Sequence, residues 1–189
     1  MPTQDQLIDV VDVTATLARN IALKRALTAV DVDPTLNFWR MSHGNSMDMA
    51  VLAWCKLFGA DHAAQNATHW KNVVDQADHA TFRAGLWAHV GINEALWRAY
   101  WNAMKNYRDF CVAHLDVKRR VDVKNFPDLE PALASATFYY QHVIGVLRGI
   151  GFTRYPDDLK AYYDAFLAQA TDVAKAASIA TKDIDERVG

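Results

Sequence analysis

The chain has 189 residues, of which 51% are apolar, and its formal net charge is −2 with the histidines neutral. This length predicts a single domain, residues 1–189, with enough apolar side chains for a sizeable core. The slightly negative charge excludes a global positive field that would attract nucleic acid, so binding of that kind needs a local basic patch.

Helical periodicity runs through almost the whole sequence. Apolar residues spaced three and four apart predict a first helix over about 4–30 and a second over about 35–58. Asp33, just before Pro34, is typical of an N-cap and is predicted to begin the second helix. Gly44 lies inside that helix and is a candidate break in it.

The rest of the chain also predicts helices, separated by polar loops. Five more are expected, over about 68–76, 81–89, 94–113, 130–149 and 157–179. The segment LDVKRRVDVKNFPDLEP, between the third and fourth of these, is polar and basic and predicts a loop. A tail from about residue 181 is expected to fray. Without strand-like alternation or internal repeats, the sequence predicts an all-α bundle of about five to seven helices.

Composition also indicates the cellular compartment in which the protein is expected. Two cysteines cannot make a disulfide framework, which is typical of a reducing environment. The first residues carry acids rather than the basic start of a signal peptide. The longest apolar runs are too short and too interrupted to span a bilayer. A soluble cytoplasmic protein without membrane contacts is therefore expected.

The seven histidines raise the question of a metal site. A di-metal carboxylate bundle needs Glu-x-x-His pairs, and the sequence contains none. A mononuclear histidine site shared by three helices stays open, but dispersed histidines in a tryptophan-rich bundle are more often hydrogen-bonded structural residues. The sequence has no glycine-rich phosphate loop, no H-E-x-x-H and no G-x-S-x-G. No metal and no cofactor are predicted.

The stretch RDFCVAH ends the predicted helix over 94–113 and carries the residues best suited to chemistry. Arg108 offers a permanent, planar grip on a phosphate, and His114 titrates near neutrality and can move a proton. RNA supplies its own nucleophile in the 2′-hydroxyl, so this pair needs no metal. Six residues of ideal helix separate the two side chains by roughly 120°. They converge only if the helix loosens near Ala113 or a second copy of the chain completes the site.

This motif resembles the HEPN superfamily, whose mark is an arginine, often a polar residue after it, a short spacer and a histidine. Here those positions are Arg108, Asp109, the spacer 110–113 and His114. The ending AHLD and the segments LAWCKLFG and THW are similar to the abortive-infection branch of that superfamily. The resemblance covers most of the chain.

The resemblance implies a helical bundle that dimerises, with paired motifs forming a metal-independent ribonuclease cleft. Arg108 would hold the scissile phosphate, His114 would act as general acid and base, and Asp109 would orient them. Such proteins act as toxins or in phage defence, so a cognate antitoxin is an expected partner. Basic side chains around the motif are the candidate RNA-binding residues: Lys105, Lys118, Arg119 and Arg120.

Each part of the motif also has a structural interpretation. Arg108 can pair with Asp109 or Asp116, as surface arginines commonly do, and the helix dipole favours His114 at a C-terminus whatever its function. The basic residues can be a solvated loop, and the negative charge of Asp109 beside a phosphate site favours a chain without catalysis. The alternative is therefore a non-catalytic, HEPN-like helical protein that binds RNA or another protein.

A homodimer is predicted, with the 108–114 region at or near the two-fold axis. Two copies can complete a cleft that one helix leaves open. Trp97 and Trp101 also form an apolar stripe beside Leu96 and Tyr100, and a two-fold interface buries such a stripe twice. The alternative is that neighbouring helices of the same chain cover it.

Overall fold

The computed structural model describes residues 2–30, 32–33, 35–59, 66–113 and 126–187. Those residues form seven α-helices and no strand, together with a 3₁₀ turn at Gln76–Asp78 and a π-helix at Arg108–Ala113. In chain order the α-helices are α1 (Gln4–Ala29), α2 (Asn37–Phe58), α3 (Trp70–Val73), α4 (His79–Val90), α5 (Glu94–Tyr107), α6 (Glu130–Gly149) and α7 (Leu159–Ala180). The prediction of an all-α bundle is confirmed.

Helix α1 is central to the bundle and contacts α2, α6 and α7. It begins where the sequence predicts, because the Thr3 side chain accepts a hydrogen bond from the backbone N–H of Gln6 at 3.2 Å. Residues three and four apart share one helical face, and that face of α1 is buried. Its apolar members include Leu7, Val10, Val11, Leu17 and Ile21.

Helix α2 begins later than predicted. The Asp33 carboxylate accepts hydrogen bonds from the backbone N–H and the hydroxyl of Thr35, at 2.8 and 2.7 Å. This local turn competes with helix formation, so α2 begins at Asn37, and Leu36 precedes it without a side-chain cap. The predicted N-cap role of Asp33 was wrong. Gly44 causes no break, since α2 runs through it.

The third helix is much shorter than the predicted span 68–76. It begins after His69, whose ring nitrogen accepts a hydrogen bond from the backbone N–H of Lys71 at 3.3 Å. It ends after four residues because Val74 is extended, with φ −85° and ψ 133°. The 3₁₀ turn then leads directly into α4. Gly91 ends α4 in the left-handed region at φ 76°, which glycine adopts without strain.

The main core joins α2, α5 and α6 through aromatic side chains. Trp54 of α2 is fully buried, and its indole N–H donates to the Ser135 hydroxyl of α6 at 3.0 Å. Its ring centroid lies 5.5 Å from that of Phe58 and 5.4 Å from that of Tyr100 on α5. Aromatic clusters of this kind bury a large apolar area. They therefore fix where α5, the helix that leads to the motif, sits on the bundle.

Helix α7 packs along α1 and is capped by Asp158, whose carboxylate accepts from the backbone N–H groups of Lys160 and Ala161. After the helix, the Glu186 carboxylate accepts a hydrogen bond from the backbone N–H of Asn37 at 2.5 Å. The C-terminal segment thus returns to the start of α2. Within the described ranges, no helix combines the length and apolarity needed to cross a bilayer.

Candidate functional site

The motif follows a helix that is firmly anchored to the core. Asn93 caps α5 by accepting from the backbone N–H of Leu96 at 2.9 Å. At the other end Met104 and Tyr107 are buried, and the Tyr107 hydroxyl donates to the Asp48 carboxylate of α2 at 2.8 Å. The position at which α5 delivers Arg108 is therefore fixed by buried apolar contacts and one cross-helix hydrogen bond.

The helix widens over the described part of the motif. Residues Arg108–Ala113 are π-helical and pack against α2. A π-helix bonds each N–H five residues back, which gives a wider turn than an α-helix. A helix that loosens near Ala113 was one of the two ways in which the sequence allowed the side chains to converge, and the loosening begins at Arg108. His114 lies outside the described residues, so its convergence with Arg108 stays a prediction.

Asp109 already holds the guanidinium group of Arg108. The Arg108 Nε and Nη2 atoms donate to the same Asp109 oxygen, at 2.8 and 2.6 Å. Both side chains are partly accessible, with exposed fractions of 24% and 37%. Ion pairs this close to solvent contribute only about 0–1 kcal/mol. The pairing that the structural interpretation anticipated is therefore present, and breaking it has only a small cost.

Cys55 of α2 lies beneath this ion pair, a neighbour that the sequence analysis did not identify. Burial raises the pKa of its thiol to about 11, while the charge of Arg108 and a hydrogen bond from it act in the opposite direction. The thiol is therefore protonated at neutral pH and is not a nucleophile. It supports the inner side of the Arg108 guanidinium, and no sequence pattern links α2 to the motif.

Lys105 is the other predicted site residue whose position is described. It lies three residues before Arg108, so the two basic side chains share a helical face. Its Nζ atom is 5.1 Å from the centroid of the Trp101 ring, within cation–π range. The other three candidate RNA-binding residues, Lys118, Arg119 and Arg120, lie outside the described residues.

The described histidines make structural contacts. His69 caps α3, and the Nε2 atom of His79 is 2.9 Å from the carbonyl oxygen of Val74. The His43 ring of α2 is 3.3 Å from the Lys24 ammonium of α1. In the part of the chain that the structure describes, no group of three or more histidine, cysteine, aspartate or glutamate side chains is arranged to hold a metal ion.

The apolar stripe of α5 packs largely against the chain's own core. Trp97, Tyr100 and Trp101 are partly buried there, and the Trp101 indole N–H donates to the carbonyl of Phe58 at 2.8 Å. Leu96 remains 56% exposed. The covering by neighbouring helices that the sequence analysis left open therefore accounts for most of the stripe. The prediction of a two-fold interface therefore rests on the motif.

A second feature that the sequence analysis missed is a cavity of about 280 Å³ between α3, α4 and α5. We call it the tryptophan cleft because Trp70, Trp87, Trp97 and Trp101 line it. Arg83 and Trp87, four residues apart on one face of α4, are the sequence signal that could have indicated it.

Comparison of the whole chain with protein-family models, with curated proteins and with solved structures gave no match.

Proposed function

We propose that the protein is a HEPN-like, metal-independent endoribonuclease that acts through Arg108 and His114. The observation that carries this proposal is the π-helix at Arg108–Ala113, which presents a partly exposed arginine directly after an anchored amphipathic helix. π-helical turns are rare and frequently lie at functional sites. The motif and the local irregularity thus coincide in the chain.

The chemistry requires only the substrate's own nucleophile. The 2′-hydroxyl oxygen attacks the adjacent phosphorus and forms a new O–P bond, while the bond to the 5′-oxygen of the next nucleotide breaks. The products are a 2′,3′-cyclic phosphate and a free 5′-hydroxyl. His114 accepts the 2′-hydroxyl proton or supplies one to the leaving oxygen. Arg108 stabilises charge on the phosphate, and Asp109 orients Arg108.

The proposal includes a composite site in a homodimer, with the two motifs near the two-fold axis. RNA is held by Lys105 and by the basic residues that follow the motif, Lys118, Arg119 and Arg120. The enzyme serves as a toxin or as part of a phage-defence system, and a cognate antitoxin restrains it. Expression of the wild-type chain in a bacterial host should therefore arrest growth, and His114→Ala should relieve the arrest.

The direct test is incubation of purified protein with single-stranded RNA in EDTA. We expect the wild type to cleave and to leave cyclic phosphate ends, and His114→Ala and Arg108→Ala each to lose at least about 100-fold in rate. Arg187→Ala, which removes an exposed arginine far along the chain, is the matched control and should cleave normally. Absence of cleavage by the wild type, or equal cleavage by His114→Ala, would refute the nuclease.

A second candidate function is a non-catalytic module that binds RNA or another protein. The observation that favours it is the Arg108–Asp109 ion pair, in which two guanidinium nitrogens already have a carboxylate partner. In that case Arg108→Ala should lower stability without any effect on RNA processing. Salt-sensitive RNA binding without cleavage would identify the RNA-binding form, and absence of RNA binding at low salt would identify the protein-binding form.

A further inference from the structure

The tryptophan cleft is lined by aromatic rings at the edge of the core. Trp87 and Trp97 are half-buried in its wall, and Trp70 stacks on Phe82 behind it, with ring centroids 5.1 Å apart. Base–aromatic stacking is the usual way in which proteins hold unpaired bases. A volume of about 280 Å³ lies near the lower end of small-ligand sites. It suits a group the size of one nucleotide.

The cleft is positively charged although the chain as a whole is negative. Its lining includes three basic side chains and one carboxylate, which together give a formal charge of +2: Lys71, Arg83, Arg98 and Glu94. Glu94 and Arg98 form an ion pair at 3.6 Å, but their side chains are 62% and 75% exposed, so the pair is weak. Arg83 has no hydrogen bond or ion pair to another described residue. The lining therefore attracts an anion.

The indole nitrogen of Trp87 is closed off from solvent, and it has no hydrogen-bond partner among the described residues. A ligand in the cleft therefore meets the half-buried ring of Trp87 rather than its N–H group.

One face of α5 connects the cleft to the motif. Arg98, Trp101, Lys105 and Arg108 are spaced three, four and three residues apart, so they lie along one side of the helix. From Arg98 to Arg108 the stripe runs about 15 Å, at 1.5 Å per residue. It carries three basic side chains and one aromatic side chain, and proteins that track a single strand combine positive charge with aromatic rings in this way.

We propose that the tryptophan cleft binds one nucleotide of a single-stranded RNA whose backbone continues along this face of α5 to Arg108. The base lies against the Trp87 and Trp97 rings. The neighbouring phosphates contact Arg83 and Arg98. The inference rests on the proposed function for the identity of the strand, and it restricts the substrate to unpaired RNA, since a base within a duplex cannot enter the cleft.

The test separates binding from cleavage. A short, labelled, 2′-O-methylated single-stranded RNA lacks the nucleophile, so its binding can be followed by fluorescence anisotropy without turnover. We expect Arg83→Gln to weaken binding roughly tenfold and to lower the salt slope by about 1. Trp87→Leu removes the ring against which the base stacks, and it should weaken binding roughly tenfold. Arg187→Gln is the control, and circular dichroism verifies that each variant folds.

Any of three outcomes would overturn the inference. Arg83→Gln could bind the oligonucleotide as tightly as the wild type does, or the wild type could bind the matched duplex as tightly as the single strand. Inorganic phosphate could also displace the labelled oligonucleotide as well as the unlabelled single strand does. These outcomes do not decide whether the protein is a nuclease. A wild type that binds the oligonucleotide through the cleft but leaves unmodified RNA intact supports the cleft and refutes the nuclease. A wild type that cleaves while both cleft variants bind normally refutes only the cleft.

Discussion

At the scale of single residues, the Arg108–Asp109 ion pair sets the local charge of the motif. Two guanidinium nitrogens contact one Asp109 oxygen. Because the pair is partly exposed, breaking it costs only about 0–1 kcal/mol. In the proposed site a phosphate bound to Arg108 would replace this contact at small cost, but it would lie beside a carboxylate that repels it.

Asp109→Asn should raise RNA affinity by about fivefold, corresponding to about 1 kcal/mol. The change removes the repulsion while the amide oxygen can still accept a hydrogen bond from Arg108. Folding stability should change by less than about 1 kcal/mol, because the pair is partly exposed. Binding of the 2′-O-methylated oligonucleotide is the measurement.

The control is Asp164→Asn, which removes another ion-paired aspartate, the partner of Lys160 on α7. Its RNA affinity should match that of the wild type. If Asp109→Asn binds RNA no better than this control, the Arg108 guanidinium does not contact the strand.

His43 is a second residue whose surroundings decide its behaviour. Its Nε2 atom lies 3.0 Å from the Thr28 hydroxyl and 3.3 Å from the Lys24 ammonium. Burial, and then the charge of Lys24, lower the pKa of His43, and burial likewise lowers the pKa of Lys24. The folded chain thus holds a proton at His43 less tightly than the unfolded chain does.

This difference makes stability depend on pH. Because the unfolded state binds more protons at this histidine, the free energy of unfolding falls as pH drops below the unfolded value of about 6.5. His43→Gln should therefore lose less stability than the wild type between about pH 7 and pH 5 in urea unfolding. Lys24→Gln should reduce the pH dependence of stability only in part, because it removes the charge beside His43 but leaves the burial of the ring. A slope in His43→Gln equal to that of the wild type would contradict this account.

At the scale of helices, two glycines differ in their surroundings: one lies on an open helix surface, and the other lies where two helices are in contact. Nothing lies within 4 Å of the position that a Cβ would take at Gly44 in α2. At Gly85 in α4 the same atom would be 2.9 Å from the Phe138 ring of α6. Glycine at Gly85 thus allows α4 to approach α6 closely.

Gly44→Ala should raise the free energy of unfolding by about 0.5–1 kcal/mol, because alanine loses less backbone entropy than glycine on forming a helix. Gly85→Ala should raise the free energy of unfolding clearly less than Gly44→Ala does, or should lower it, because the Phe138 ring has to move. Chemical denaturation of both variants gives the comparison. Equal gains at the two positions would show that α4 and α6 are not closely packed at Gly85.

At the scale of the whole molecule, the proposed active site depends on two copies of the chain. The stripe at Trp97 and Trp101 is mostly covered within one chain, so the case for a dimer rests on the motif. We expect light scattering at micromolar concentration to give twice the mass of the chain. A monomer mass would remove the composite site.

Mixing variants tests the same idea through activity. Arg108→Ala and His114→Ala should each be inactive alone. After unfolding and refolding together they should regain part of the wild-type cleavage, since a mixed dimer can combine the intact Arg108 of one copy with the intact His114 of the other. A mixture that forms mixed dimers yet stays inactive would place both groups of each site in one chain.

The sequence by itself determined the helices of this protein and their approximate limits. α1, α2 and α6 lie within two residues of the predicted spans, since apolar spacing and stop signals act locally along the chain. Local signals also compete, which is why Asp33 forms a turn with Thr35 instead of capping α2. The motif itself could be read from the sequence because it is a short pattern at the end of one helix.

Only the tertiary structure decided what surrounds that motif. The π-helix lies where the end of α5 is tied to α2 through Tyr107 and Asp48, and Cys55 reaches Arg108 from the same helix. The tryptophan cleft likewise combines α3, α4 and α5. These features arise from contacts between residues far apart in the chain, whose spacing in sequence carries no periodic signal. Helix formation depends on near neighbours, whereas the site depends on how the helices pack.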